Sequence, residues 1–405
     1  MRRAPQLGRE SAGPSTRAPA IDVGSGGDAD PRRRTRFSRR SVPTATMWAY
    51  QLTCHIRLMV AYRSDTTIGG EQPVAGFLAF PQERLMFRTS VLLPSMIVLS
   101  LANSVSAEDG TRDLPGRRVK VSAICIGFGG ERDAKLKLGL EHLETAGQAR
   151  VDIACLPEEF AGTAAEPIPG PTTSAVAEMA KKHRMYVICP IREQAGEHQY
   201  NTAVLIDRQG EIRGRYRKIF VYWGEGLHLG PADVQAFDTD FGRISILTCF
   251  DLNFAELWQQ AELLDVDIVF WPSAYGGGMP LNAYAMAHNY YVVPVGEGNI
   301  IDITGKTMDV DSPRPRQFIA TLDLDRTLVH TNFNEEKVKK LLAEHPGEVE
   351  QEHFFGMESW YLLRSIKSCV RVRDLCEQHK IETLRDYRQR SRAQINAARQ
   401  KDERI

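Results

Sequence analysis

From Arg117 onward, short apolar runs alternate with stretches whose apolar positions recur at helical spacing, the pattern of an α/β layered fold. Val119–Ile126 reads as a strand, and Glu131–Ala146 as a helix with Leu136, Leu140 and Leu143 on one face. Val151–Leu156 is a second strand, ending at Pro157-Glu158. Thr172–Arg184 is a helix with Val176, Met179 and Ala180 inward, and Met185–Ile191 is a third strand. Thr202–Ile206 and Glu211–Tyr216 flank Asp207-Arg-Gln-Gly210, a hairpin with glycine at its turn. The run Ile244–Leu247 is a buried strand that stops at Thr248-Cys249, and a helix starts near Asn253 and runs through Trp258 towards Leu264. Asp267–Trp271 is a strand, and a helix covers Leu281–Tyr290. Strands follow at Val292–Val295, Asn299–Ile303 and Phe318–Leu324.

Past His330 the pattern changes. Glu335–His345 is an amphipathic helix with Val338, Leu341 and Leu342 inward, broken at Pro346-Gly347. Glu358–Ile405 reads as further charged helices, so residues 331–405 form a helical C-terminal extension. Trp360, Tyr361, Leu362 and Leu363 within it need cover. With the helix after Cys249, they point to a subunit interface, hence to at least a homodimer to which the tail contributes.

The first 85 residues lack apolar periodicity and are rich in Arg, Pro, Gly and Ser, which marks them as a disordered arm or an over-extended start. Residues 86–107 have secretory-signal anatomy. Arg88 supplies a positive start, Val91–Leu101 an apolar core, and Val105-Ser-Ala107 a small-residue cleavage site. The expectation is export, periplasmic or extracellular, from Met86, or a cytoplasmic location if the segment does not act as a signal. The apolar run is too short for a comfortable membrane span.

The chain has 405 residues with a net charge of +0 and a pI of about 7.1, a balance that gives no sign of a nucleic-acid or membrane-surface protein. Its 7 cysteines include no CxxC pair, which argues against a zinc site or a disulfide scaffold. Cys125, Cys155 and Cys189 fall in predicted core strands and read as buried thiols. Cys369 and Cys376 lie two helical turns apart, roughly 10 Å and beyond disulfide reach unless a helix breaks between them.

Cys249 is different because it sits on a strand-to-helix turn, where an α/β protein presents a nucleophile beside unpaired backbone N–H groups. A lone cysteine is more commonly a small core residue, but two upstream segments change the balance. Leu156-Pro-Glu158 sets a carboxylate at the end of a buried strand, and Tyr216-Arg-Lys218 sets a lysine after the hairpin. In this order, with Cys249-Phe-Asp251-Leu-Asn-Phe254-Ala-Glu256, these segments resemble the nitrilase, or carbon–nitrogen hydrolase, superfamily. Trp271-Pro-Ser-Ala and Ala285-Met-Ala-His-Asn-Tyr-Tyr-Val-Val are similar to its following elements, so that the resemblance covers about Arg117 to Asp325.

The resemblance implies a domain over 117–330 built as an α-β-β-α sandwich that pairs with a second copy. It implies Glu158 as base, Lys218 as oxyanion donor and Cys249 as nucleophile of a hydrolase acting on a small amide or N-carbamoyl amine, with no metal or organic cofactor. Glu225 stands where many members position substrate with a second glutamate, and the Phe250 N–H is a second oxyanion donor. Tyr275, in the Tyr275–Gly278 loop, lies near the expected pocket rim. His288 stands where glutamate is frequent and is either a substrate contact or a packed histidine. A nitrilase that converts a nitrile to an acid is the near alternative, and an inactive binding or scaffold protein on the same fold is the alternative of another class.

Overall fold

The computed structural model describes residues 115–296, 298–402 and 404. The leading segment and the signal-like stretch 86–107 lie outside the described residues.

In chain order the elements are β1 (Arg118–Ile124), α1 (Arg132–Gln148), β2 (Ile153–Cys155), α2 (Pro171–His183), β3 (Tyr186–Ala195), β4 (His198–Ile206) and β5 (Ile212–Arg217). Then come β6 (Ala236–Asp238), β7 (Arg243–Ile246), a 3-10 turn (Cys249–Asn253), α3 (Ala255–Leu263), β8 (Ile268–Pro272), α4 (Met279–His288) and β9 (Tyr291–Val295). The chain continues through β10 (Asp311–Arg314), β11 (Gln317–Asp323), β12 (Thr327–His330), α5 (Glu335–Glu344), β13 (Val349–Phe355), β14 (Trp360–Ser365), α6 (Val372–Gln378) and α7 (Leu384–Lys401). No helix among the described residues is long and apolar enough to cross a membrane.

Seven strands form one sheet in the order β10-β11-β1-β2-β3-β4-β5, and four form a second in the order β6-β7-β8-β9. The central β1-β2-β3 and β7-β8-β9 are parallel, and the flanking strands antiparallel. The larger sheet is apolar on both faces, and its alternation assigns side chains to two cores. Cys155, Ile188, Ala203 and Leu205 face the second sheet, whereas Ala154, Val187, Val204 and Ile206 face Leu143 and Ala146 of α1 and Val176 and Ala180 of α2. On the second sheet's other side lie Leu257, Trp258 and Ala261 of α3 and Leu281 and Ala285 of α4. The layers are therefore α-β-β-α, as the resemblance implied. Cys125, Cys155 and Cys189 are all buried, as expected.

The extension departs from expectation. Its three helices are present, but between α5 and α6 lies a hairpin, so that β12-β14-β13 make a third sheet. Leu328 and Leu362 face the main core, while Val329 and Leu363 turn to Val338 and Leu341 of α5 and Val372 and Leu375 of α6. The aromatic and leucine run at Trp360–Leu363 thus finds its cover within its own chain, and the inference that it needs a subunit interface is corrected. The predicted strand at Asn299–Ile303 reduces to single bridges from Ile301 to Val292 and Thr307. Cys369 precedes α6 and Cys376 lies in it. Both are free thiols, one exposed and one buried.

Candidate active site

Three loop positions, each at or just past a strand's end, bring the proposed chemistry together between the two sheets. Glu158 lies three residues beyond β2, Lys218 directly follows β5, and Cys249 opens the 3-10 turn after β7. Glu158 and Lys218 are 2 % and 1 % exposed. Charged groups are buried this completely only when paired, and here the Lys218 Nζ donates to Glu158 Oε1 at 2.9 Å and to Glu225 Oε1 at 2.6 Å. Burial draws the ammonium's pKa down, but the Glu158 charge, with Cys249 and Glu225, raises it on balance. Lysine carries three donors, so one remains after the two carboxylates are served.

The Glu158 carboxylate is held at both oxygens. Oε1 accepts from Asn201 Nδ2 (2.8 Å) as well as from Lys218, and Oε2 accepts from the Ala274 N–H at 2.9 Å. The Cys249 thiol hydrogen-bonds this carboxylate too. Burial first, and then the Glu158 charge, push the thiol up to about 12 against the pull of Lys218. At neutral pH it rests as a thiol, so a nucleophilic role for it would require a base to remove its proton.

Cys249 has φ +47°, the left-handed region, after an extended Thr248. A non-glycine residue there costs on the order of 1–3 kcal/mol, and the surroundings hold it in place. Trp271 Nε1–H donates to the Cys249 carbonyl (3.1 Å), and Asp251 fastens the turn. Asp251 is fully buried. Its Oδ2 accepts from Thr248 N–H (2.8 Å) and Tyr216 O–H (2.6 Å), and its Oδ1 from Phe220 N–H (2.9 Å). Tyr216 and Phe220 flank Lys218 by two residues, so one carboxylate locks the nucleophile turn to the lysine segment. The first hydrogen bond inside the turn is Asp251 N–H to Thr248 C=O, and the Cys249 and Phe250 amides precede it at the start of the turn.

The remaining expected residues divide. Glu225 joins through Lys218 and the Tyr222 N–H, and its buried Oε2 has no partner among the described residues. Phe250 packs edge-on to Tyr222 and Phe254. Tyr275 is 43 % exposed and directly follows Ala274, whose N–H bonds Glu158, and burial, then Cys249 and Glu158, raises its phenol. His288 does not join. Its Nδ1 meets Glu262 Oε2 at 2.6 Å, and its ring stacks with Tyr284 and Tyr290 in the outer helical layer, which makes it a packed histidine and not a substrate contact.

Sequence reasoning gave no part to Asn201, Asp251, Tyr216 or the Ala274 amide. Asp251 and Tyr216 stood inside quoted motifs, and a buried acid two residues from the nucleophile is a signal of turn-holding. Asn201 offered only polarity at the start of an apolar strand.

Residues 123–315 match the family model described as "Carbon-nitrogen hydrolase". The chain is 32% identical over 182 residues to "Beta-ureidopropionase" of Arabidopsis thaliana (37% of this chain, 44% of that protein). It is 30% identical over 161 residues to "Nitrilase" of Pyrococcus abyssi (37% and 60%). It is 29% identical over 119 residues to "N-carbamoylputrescine amidase" of Solanum lycopersicum (28% and 40%). The chain thus spans about half the length of these curated relatives. The matched segment contains Glu158, Lys218 and Cys249, and this segment is a carbon–nitrogen hydrolase domain of the nitrilase superfamily.

Proposed function

We propose that the protein is a thiol hydrolase of small amides, an amidase or N-carbamoyl-amine hydrolase. The observation that carries this reading is the joint fixing of Glu158 against Lys218, Asn201 and the Ala274 amide while Cys249 faces it from a strained turn. In the reaction, Cys249 Sγ adds to the amide carbon as its proton passes to Glu158. The third Lys218 donor and the Phe250 N–H receive the oxyanion. The C–N bond breaks, the leaving nitrogen takes the proton from Glu158, and ammonia or an amine departs. Water then adds to the thioester with its proton going to Glu158. The C–S bond breaks, and the proton returns to Cys249. Glu225 Oε2, buried and without a partner, suits an N–H donor of the substrate.

The ionised cluster sets two carboxylates, Glu158 and Glu225, against one ammonium, Lys218. Tyr222, Phe250 and Tyr275 add aromatic surface. Both features favour a neutral or amine-bearing substrate over one that carries a carboxylate beside the scissile bond. An ammonia-release screen over neutral amides, N-carbamoyl amines, carboxylate-bearing amides and nitriles, with Cys249→Ala as control, tests the reading. Turnover of neutral amides or N-carbamoyl amines that vanishes in Cys249→Ala is expected. Turnover confined to nitriles, or retained by Cys249→Ala, would refute it.

A further inference from the structure

We infer that Asn201 is a positioning residue that fixes which oxygen of Glu158 takes the proton from Cys249. The inference rests on the reading of Glu158 as the base. Asn201 is 2 % exposed and opens the buried part of β4. It touches both upstream members of the site. Its carbonyl accepts the Lys218 N–H at 2.8 Å, and its Nδ2 donates to Glu158 Oε1 at 2.8 Å. Lys218 Nζ reaches the same oxygen at 2.9 Å. With two donors on Oε1 and one, the Ala274 N–H, on Oε2, the free basicity of the carboxylate is concentrated on Oε2, and the thiol lies against both Glu158 and the Ala274 amide.

The amide's other end supports this role. Asn201 Oδ1 is buried without a partner among the described residues. An asparagine kept for packing would satisfy both ends or be replaced by an apolar residue, because an unpaired buried carbonyl is costly. The side chain is therefore held for its Nδ2. Other charged groups surround Glu158. Lys218 and Glu225 lie on one side, Cys249 and Tyr275 on another, and Glu159 with its bidentate Arg192 partner (2.8 and 3.0 Å) follows it in the chain. Among these, Lys218 and Asn201 are the donors on Oε1, so removing Asn201 withdraws a donor from the ionised form.

The test is pre-steady-state acylation of the full chain by p-nitrophenyl acetate, followed against pH. This ester transfers its acetyl group to Cys249 and expels p-nitrophenolate, so it needs no knowledge of the natural substrate. Asn201→Asp removes the donor at equal size, Asn201→Ala removes it and leaves space, and Asn201→Ser keeps a hydroxyl donor, so that a folded variant is available if one fails to fold. In the Ala variant the acid limb of the acylation rate should move up by about one pH unit. Its rate on that limb should fall by up to about tenfold and recover to the wild-type plateau as pH rises. Asp should fall further and Ser less. A folded Ala or Asp variant whose acid limb and rate match the wild type overturns the role, and so does a uniform loss at every pH, which marks a structural effect. If the wild type shows no burst, or Cys249→Ala keeps it, the thiol reading fails and the role of Asn201 falls with it.

Discussion

A thiol beside a carboxylate is a poor nucleophile at rest, and the Cys249 surroundings make that opposition sharp. Burial and the Glu158 charge hold the thiol near 12, while Lys218 pulls the other way. The two functions of Glu158 therefore carry opposite signs. As base in the proposed reaction it would assist attack, whereas as a charge it suppresses the thiolate. Glu158→Gln removes the charge, so the thiol ionises at lower pH, and labelling of Cys249 by iodoacetamide at pH 8–9 should rise several-fold over wild type. Amide turnover in the same variant should drop by about 10²–10⁴-fold because no group accepts the proton. Labelling that falls together with turnover would show that Glu158 generates a standing thiolate instead. The identities of Glu158, Lys218 and Cys249 were legible from three short motifs. Their supports were less so, because a hydrogen-bonding partner such as Asn201 is defined by where strands meet and not by local spacing.

Elements with one clear period were legible, and those without one were not. The strands β2, β3 and β4 announce themselves as apolar runs, and α1 and α2 by their faces. The hairpin β13–β14 was hidden for two reasons. Val349–Phe355 is polar at most positions because it is an edge strand with one wet face. Trp360–Leu363 is apolar without alternation because Leu362 and Leu363 serve different cores, a pattern that a buried helix shares. The last helix shows how the extension is fastened. Arg385 of α7 is buried and donates to the carbonyls of His288 (3.0 Å), Val266 (2.9 Å) and Asn289 (2.7 Å), at the C-terminal end of α4 and in the α3–β8 turn. Arg385→Leu strands these acceptors, and the unfolding free energy in urea should drop by ~2–4 kcal/mol. A change below about 0.5 kcal/mol would show that the helix is held by its apolar contacts alone.

At the scale of the whole molecule, the covered extension changes the argument for pairing. Leu328, Leu362 and Leu384 belong to the main core, so the third sheet and α7 are parts of the subunit and not a loose tail that awaits a partner. Part of the apolar surface still exposed lies on the outer helical layer. Leu263 of α3, Met286 of α4 and Ile395 of α7 are 59, 45 and 43 % exposed. These helices adjoin, since α7 is bonded to the end of α4 through Arg385 and to Asn289 through Arg388. Single exposed apolar residues are ordinary on a soluble protein, but three on one layer suit a self-complementary contact between two copies. The prediction is a homodimer joined across this layer, with α7 contributing. Light scattering at micromolar concentration should give twice the chain mass. Leu263→Arg combined with Ile395→Glu should shift it towards the monomer while the melting transition of the subunit stays cooperative. Deleting the chain after Asn334 is a poorer test, because it would strip Leu362 and Leu384 from the core and unfold what it means to dissociate. A wild-type monomer would refute the pairing, and a dimer that survives both substitutions would move the contact to another face.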